Sequence, residues 1–182
     1  MFGLMCAAAD ESFMNFVLLT TDNILLQQQT YQRAQRDLCD FCVCDENDYL
    51  KFVQNNLHKP AVIVLKKNTS VLKQWKNNFS STNFCAGNPL FIVDDEADAA
   101  SLNTQVNRNK QSTINKNLEA IKKTTSSSIY MQVTGTPQSI LLQTAKSGWK
   151  PYFIYYLGRA RVIWEGFLFS TGTTETGYSY RQ

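Results

Sequence analysis

Asp94, Asp95, Glu96 and Asp98 fall within five consecutive positions directly behind the apolar run at Leu90, Phe91, Ile92 and Val93. Carboxylates this dense at the mouth of a buried strand need partners, because desolvating even one is costly unless something pairs with it. A divalent cation is the first partner the pattern suggests. An apolar strand ending in Asp-Glu is the Walker B arrangement, in which one carboxylate holds a hydrated Mg2+ and the next orients or deprotonates an attacking water. On this reading Asp95 is the metal ligand, through water, and Glu96 the water-activating base. The plainer alternative is a solvated loop or helix start, where acidic side chains favour the helix dipole.

Other residue types with chemical potential are less pointed. Cys39, Cys42 and Cys44 lie close together in "CDFCVC", and Cys-x2-Cys is a common zinc half-site. No second half-site follows, since Cys85 stands alone and His58 is the only histidine. Five cysteines, an odd number, therefore read as reduced, half-buried thiols in a reducing compartment. Lys66, Lys67 and Lys73 suit a solvated face, although strand-end lysines such as Lys66 and Lys67, beside a helix N-terminus, are also well placed for a nucleic-acid backbone. Tyr31, Trp75 and Trp149 read as core or interface rather than base-stacking platforms. His58 receives no role.

The elements that must position these residues alternate. A helix ends near Ala9, and the apolar run in NFVLLTTDN reads as a buried strand closed by Thr20, Thr21 and Asp22. Residues 23–36 (NILLQQQTYQRAQR) form a helix with Asp22 or Thr21 as N-cap. The stretch from Cys42 to Lys59 reads as loop and short helix. After Pro60 the strand AVIVLKKN follows, then a helix from Ser70, capped by that serine, with Val71, Leu72 and Trp75 on one face. A polar loop leads to the strand LFIV and the acidic cluster. Beyond a polar segment, the helix INKNLEAIKK and the strand SIYMQVTG follow, with a further helix over QSILLQTA and a strand candidate at PYFIYY. Apolar runs without a period of two, alternating with helices, predict an α/β fold: a three-layer sandwich around a mostly parallel sheet. In such sheets ligands bind at the carboxyl ends of the strands. Thr20 to Asp22, Lys66 to Asn68, Asp94 to Asp98 and Thr134 to Thr136 then gather on one edge.

The bulk numbers allow one domain and little more. The chain has 182 residues, 43% of them hydrophobic, 12% aromatic, and a net charge of +3. That suffices for a real core but not for two full domains, and the charge is too small to indicate nucleic acid or membrane by itself. The start MFGLMCAAADESFMNFVLL lacks a basic leader and carries Asp10 and Glu11 inside its apolar part, so neither a signal peptide nor a spanning helix fits. The expected location is cytoplasmic, with no membrane partner.

Asp95, Glu96, Ala97 and Asp98 spell the D-E-A-D box of superfamily-two helicase-like ATPases, and the chain resembles that family. Thr134, Gly135 and Thr136 match its Ser/Thr-Ala/Gly-Thr motif, which couples nucleotide state to the second lobe. "LLTTDNILLQQQT" looks like its motif Ia. The phrases "IVDDEADAASLNT", "STINKNLEAI" and "VTGTPQSILL" most resemble the Z-one endonuclease domain family of bacterial restriction and phage-defence systems. The resemblance covers roughly residues 2–156. It implies an incomplete RecA-like lobe of the phosphate-loop NTPase fold, with ATP and Mg2+ as cofactors and Asp95 and Glu96 as catalytic residues. It further implies coupling through Thr134, Gly135 and Thr136, nucleic-acid contacts at Thr20, Thr21, Lys66 and Lys67, DNA as partner, and restriction-system subunits as companions.

The chain departs from that pattern at both ends. None of its eight glycines lies in a G-x-x-x-x-G-K-[ST] loop, so by itself it is expected to be a poor or inactive ATPase. Residues 157–182 are Gly/Thr-rich and lack periodicity, which reads as a disordered or frame-shifted tail. One back-translation of LGRARVIWEG, read one base earlier, gives FGPGKGYLGG, closer to the family's continuation. The chain then reads as a fragment of an ATP-dependent DNA-translocating or remodelling motor. A nuclease reading has no supporting residues. The alternative is a non-catalytic nucleic-acid-binding or interaction module that keeps the fold, and the plainest reading is a small α/β domain with an acidic loop.

Overall fold

Apolar runs buried on both faces set the architecture. The computed structural model describes residues 1–97, 108–135, 152, 154 and 155. Asp98, Thr136, Trp149, the helix expected over 138–145 and the tail 157–182 lie outside the described residues. Of the strand expected at 151–156, only Tyr152, Ile154 and Tyr155 are described, and they are exposed and belong to no strand.

Helix α1 (Phe2–Asp10) leads into β1 (Asn15–Thr20), in which every residue is buried. Helix α2 (Ile24–Asp37), strand β2 (Cys42–Cys44), helix α3 (Tyr49–Asn55) and strand β3 (Ala61–Lys66) follow. Next come α4 (Thr69–Ser80), the short α5 (Asn83–Ala86), β4 (Leu90–Asp95), α6 (Arg108–Lys122) and β5 (Ser128–Val133). The five strands make one sheet of order β2-β3-β1-β4-β5, with every pairing parallel.

Two apolar layers cover the sheet, which gives the expected three-layer sandwich. One face packs Leu19, Ile63, Leu65 and Ile92 against Phe52 of α3, Leu72, Trp75 and Phe79 of α4, and Leu118 and Ile121 of α6. The opposite face packs Phe16, Leu18, Val64 and Val93 against Met5 and Ala8 of α1 and Ala34 of α2. Right-handed crossovers explain the division. From β1 the chain steps outward to β2, and α2 lies on one face; each later step runs the opposite way across the sheet, and α3, α4 and α6 lie on the other.

Differences from the sequence reading are local. Asn23, rather than Asp22 or Thr21, caps α2, its Oδ1 accepting from Leu25 N at 2.9 Å and Leu26 N at 3.3 Å. Asn68, rather than Ser70, caps α4, and the Ser70 hydroxyl donates to Asn68 Oδ1 at 2.6 Å. Strand β2 and helix α5 occupy segments that read as loop. Trp75 is fully buried, with its indole N–H donating to Glu46 O at 2.9 Å, and Tyr31 is half-buried.

Asn68 serves two elements. Its Oδ1 caps α4, while its Nδ2 donates to both carboxylate oxygens of Asp22, at 3.2 and 3.1 Å, joining the loops after β1 and β3. Asn68→Ala removes the cap and the tie together, with an expected loss of about 1–2 kcal/mol in urea unfolding. Asn23→Ala removes a cap alone and is expected to lie nearer 1 kcal/mol.

Candidate functional site

Parallel strands deliver their last residues to one edge, and the register decides which of them meet. Thr20 pairs with Lys66, Leu19 with Asp94, Asp94 with Gln132, and Asp95 with Val133. Thr20, Lys66, Asp94, Asp95 and Thr134 therefore share the carboxyl edge, as expected.

Alternation along β4 separates the two aspartates. Asp94 shares the face of Leu90 and Ile92, on the α4/α6 side, whereas Asp95 shares the face of Phe91 and Val93, on the α1/α2 side. Asp94 is committed: its Oδ1 lies 2.8 Å from Lys67 Nζ, and its Oδ2 accepts from Tyr130 Oη at 2.6 Å. The side chains of this ion pair are 5% and 7% exposed. Asp95 is half-buried and Glu96 exposed, and neither carboxylate has a hydrogen-bond or ion-pair partner among the described residues. The three described carboxylates of the acidic run thus divide into a structural one and two available ones.

The turn after β4 is held from both sides. Lys67 Nζ donates to Asp95 O at 3.2 Å and Glu96 O at 2.9 Å, and Ala97 N–H donates to Val133 O at 3.0 Å. Glu96 sits in the left-handed region with φ 53°, which side chains other than glycine seldom adopt. Its side chain is exposed, and Thr134, at the end of β5, is half-buried. At Gly135 an added Cβ meets nothing within 4 Å, so no close approach demands glycine there.

The residues expected to contact nucleic acid are mostly occupied. Lys67 is turned inward to Asp94, and its ammonium does not face solvent. Lys66 pairs with Glu46 Oε1 at 3.1 Å. The Thr20 hydroxyl is buried and donates to Leu65 O at 3.4 Å. Thr21 is half-buried, and its Oγ1 has no hydrogen-bond partner among the described residues. Sequence reading placed these four at the right edge, but it carried no signal for which way each side chain turns. It also passed over Tyr130, whose spacing from Asp94 is set by strand pairing alone.

Burial and the neighbouring Asp94 carboxylate push the Tyr130 phenol well above the usual tyrosine range. Burial, with Asp48 beside it, likewise pushes Tyr31 up to about 12. Both shifts have the same sign. The folded protein keeps protons that the unfolded chain releases near pH 10, so this stabilisation is complete below pH 10 and is lost as pH rises further. Tyr130→Phe is expected to flatten the fall in stability above pH 10 by up to about 1.4 kcal/mol per pH unit, read from urea midpoints between about pH 9 and 11.

A metal caged by protein ligands finds no support: among the described residues, no three His, Cys, Asp or Glu side chains converge. A hydrated Mg2+ asks less, needing one or two carboxylates besides water and phosphate oxygens. Asp95, unpartnered among the described residues, fits that need. Cys42 and Cys44 bring their sulfurs to 3.8 Å, and burial raises the Cys44 thiol, whereas Cys39 contacts Arg36 O instead.

Fold and edge together define an α/β domain: a five-stranded, wholly parallel sheet flanked by helices, with acidic and hydroxyl side chains at its carboxyl edge. No protein-family model, curated protein or solved structure matches the chain. Among the described residues, no helix is long and apolar enough to cross a membrane.

Proposed function

We propose that this domain is part of a RecA-like lobe of a helicase-like, ATP-dependent DNA-translocating or remodelling protein of a defence or restriction system. In this reading Asp95 and Glu96 supply the magnesium-binding and water-activating half of the ATPase site. The observation that carries the reading is the split of the acidic run, which leaves a half-buried Asp95, unpartnered among the described residues, and an exposed Glu96 at a clamped turn on the carboxyl edge. Mg2+ held through water by Asp95 would offset phosphate charge there. Glu96, exposed and without a partner among the described residues, can accept a proton from an attacking water. Thr134, with Gly135 and Thr136, would report the nucleotide state.

The topology supports the same reading. Helix α1 lies on the α2 face, and residues 11–14 join it directly to β1, so its N-terminus points toward the carboxyl edge on the side of Asp95. Its N-cap, Met1, provides no side-chain cap. Uncapped N–H groups at such an end suit phosphate. By the right-handed rule, a parallel strand feeding α1 would lie on the β4/β5 side of β1, where among the described residues the outer edge of β5 has no neighbour. Strand β5 is only half-buried along its length, with Ile129 44% exposed, whereas β1, β3 and β4 are nearly enclosed. A strand carrying a phosphate loop would fit that edge.

One observation favours the second reading, an interaction module without catalysis. Ile24, Leu25 and Leu26 open α2 at the carboxyl edge and are 61%, 68% and 40% exposed, while the nearby lysines are paired.

Paramagnetic relaxation by Mn2+, substituted for Mg2+, tests the metal half on the chain itself. The expected result is selective broadening of the Asp95 and Glu96 amides, abolished by Asp95→Asn. Broadening that instead follows every exposed carboxylate equally, or that survives Asp95→Asn, removes the basis for an ATPase site.

A further inference from the structure

We propose that Lys67 is the positioning residue of the Asp95–Glu96 turn, acting on the main chain and touching no substrate. The inference rests on the reading of Asp95 and Glu96 given above. The Lys67 ammonium donates to two main-chain carbonyls, Asp95 O at 3.2 Å and Glu96 O at 2.9 Å, and forms an ion pair with Asp94 Oδ1 at 2.8 Å. The planar fork of arginine does not match two carbonyl oxygens and a carboxylate spread around one point.

Both ends of this clamp are fixed. Backbone N–H of Lys67 donates to Thr20 O at 2.9 Å, which anchors it to β1, and the Asp94 carboxylate is held on its far side by Tyr130 at 2.6 Å. What the clamp holds is a strained conformation. Glu96 has φ 53°, a backbone state that persists where the surroundings over-determine it. Two of its neighbours do so, the Lys67 ammonium from the loop after β3 and the Ala97 to Val133 hydrogen bond from β5.

The same residue links the turn to the loops on either side of it. Lys66, one position earlier, pairs with Glu46, and Asn68, one position later, caps α4 and holds Asp22. A ligand that moves the loops after β1 and β3 therefore acts on the acidic turn through a single buried ammonium.

Amide hydrogen exchange on the full chain tests the inference, with Lys67→Met, Lys67→Arg and the double variant Lys67→Met/Asp94→Asn. The double variant removes both buried charges, so it keeps the test available where Lys67→Met alone does not fold. The expected result is exchange at Ala97 about tenfold faster or more in the double variant. Leu18 and Ile63, in the sheet centre, should keep their protection, the Glu96 Cα shift should leave its left-handed value, and Lys67→Arg should fall between. Unchanged exchange at Ala97, or an equal rise at every amide, overturns the positioning role. So does selective Mn2+ broadening at Asp95 that is identical in the wild type and the double variant. Absence of Mn2+ broadening in the wild type, with the exchange result intact, removes the ATPase reading and leaves the clamp standing.

Discussion

Lys67→Met is expected to lower the unfolding free energy by about 3–5 kcal/mol, the usual cost of stranding one partner of a buried ion pair. The pair is well enclosed, with side chains 5% and 7% exposed, so water can do little to solvate the Asp94 carboxylate left behind. Tyr130 donates one hydrogen bond to it and cannot supply a charge. The double variant Lys67→Met/Asp94→Asn should recover most of the loss, because replacing both charges removes the desolvation penalty along with the attraction. Urea unfolding at constant slope reads both quantities, and the cycle of single and double variants isolates the coupling between the two side chains. A loss below about 1 kcal/mol for Lys67→Met is the value of a solvated surface pair and would contradict the buried geometry.

Glu96→Gln is the second large effect. In a chain that also carries a phosphate loop, this substitution is expected to lower kcat for ATP hydrolysis by about 10^2 to 10^4, the range over which a positioned base contributes. The amide keeps the size and exposure of the side chain but cannot take a proton, so nucleotide binding should change little. A fall in kcat and kcat/KM together, with binding intact, identifies an interaction made in the transition state. Loss of binding instead would mean that Glu96 holds the turn or the metal and does not act on water.

The parallel sheet could be read from the sequence because its signals were strong and local. AVIVLK and LFIV are continuous apolar runs bounded by Pro60, Asn68 and Pro89, and runs of this kind belong to strands covered on both faces. Strand β2 could not be read, since Cys42–Cys44 is three residues long and its identity comes from pairing with Ala61–Ile63. The caps shifted by one or two positions because Asp22, Asn23, Asn68 and Ser70 are all competent, and only geometry decides which oxygen faces the helix.

The site was legible in position and not in pairing. Spacing put Asp94, Asp95 and Glu96 at a strand end, but alternation across the sheet sends Asp94 to one face and Asp95 to the other. Which lysine meets Asp94 depends on the parallel register of β3, β1 and β4, and its partner Tyr130 comes from β5. A sequence reading that sees Lys66 and Lys67 only as adjacent charges cannot distinguish the one facing Glu46 from the one buried at the turn.

ATP hydrolysis with Mg2+ by the chain extended upstream through a G-x-x-x-x-G-K-[ST] loop, measured with and without DNA and beside its Glu96→Gln variant, tests the central claim most directly. The account predicts DNA-stimulated hydrolysis that Glu96→Gln abolishes, with none by residues 1–182 alone. An extended chain that binds ATP and Mg2+ but hydrolyses nothing, with or without DNA, would contradict it and leave the interaction module as the reading of this fold.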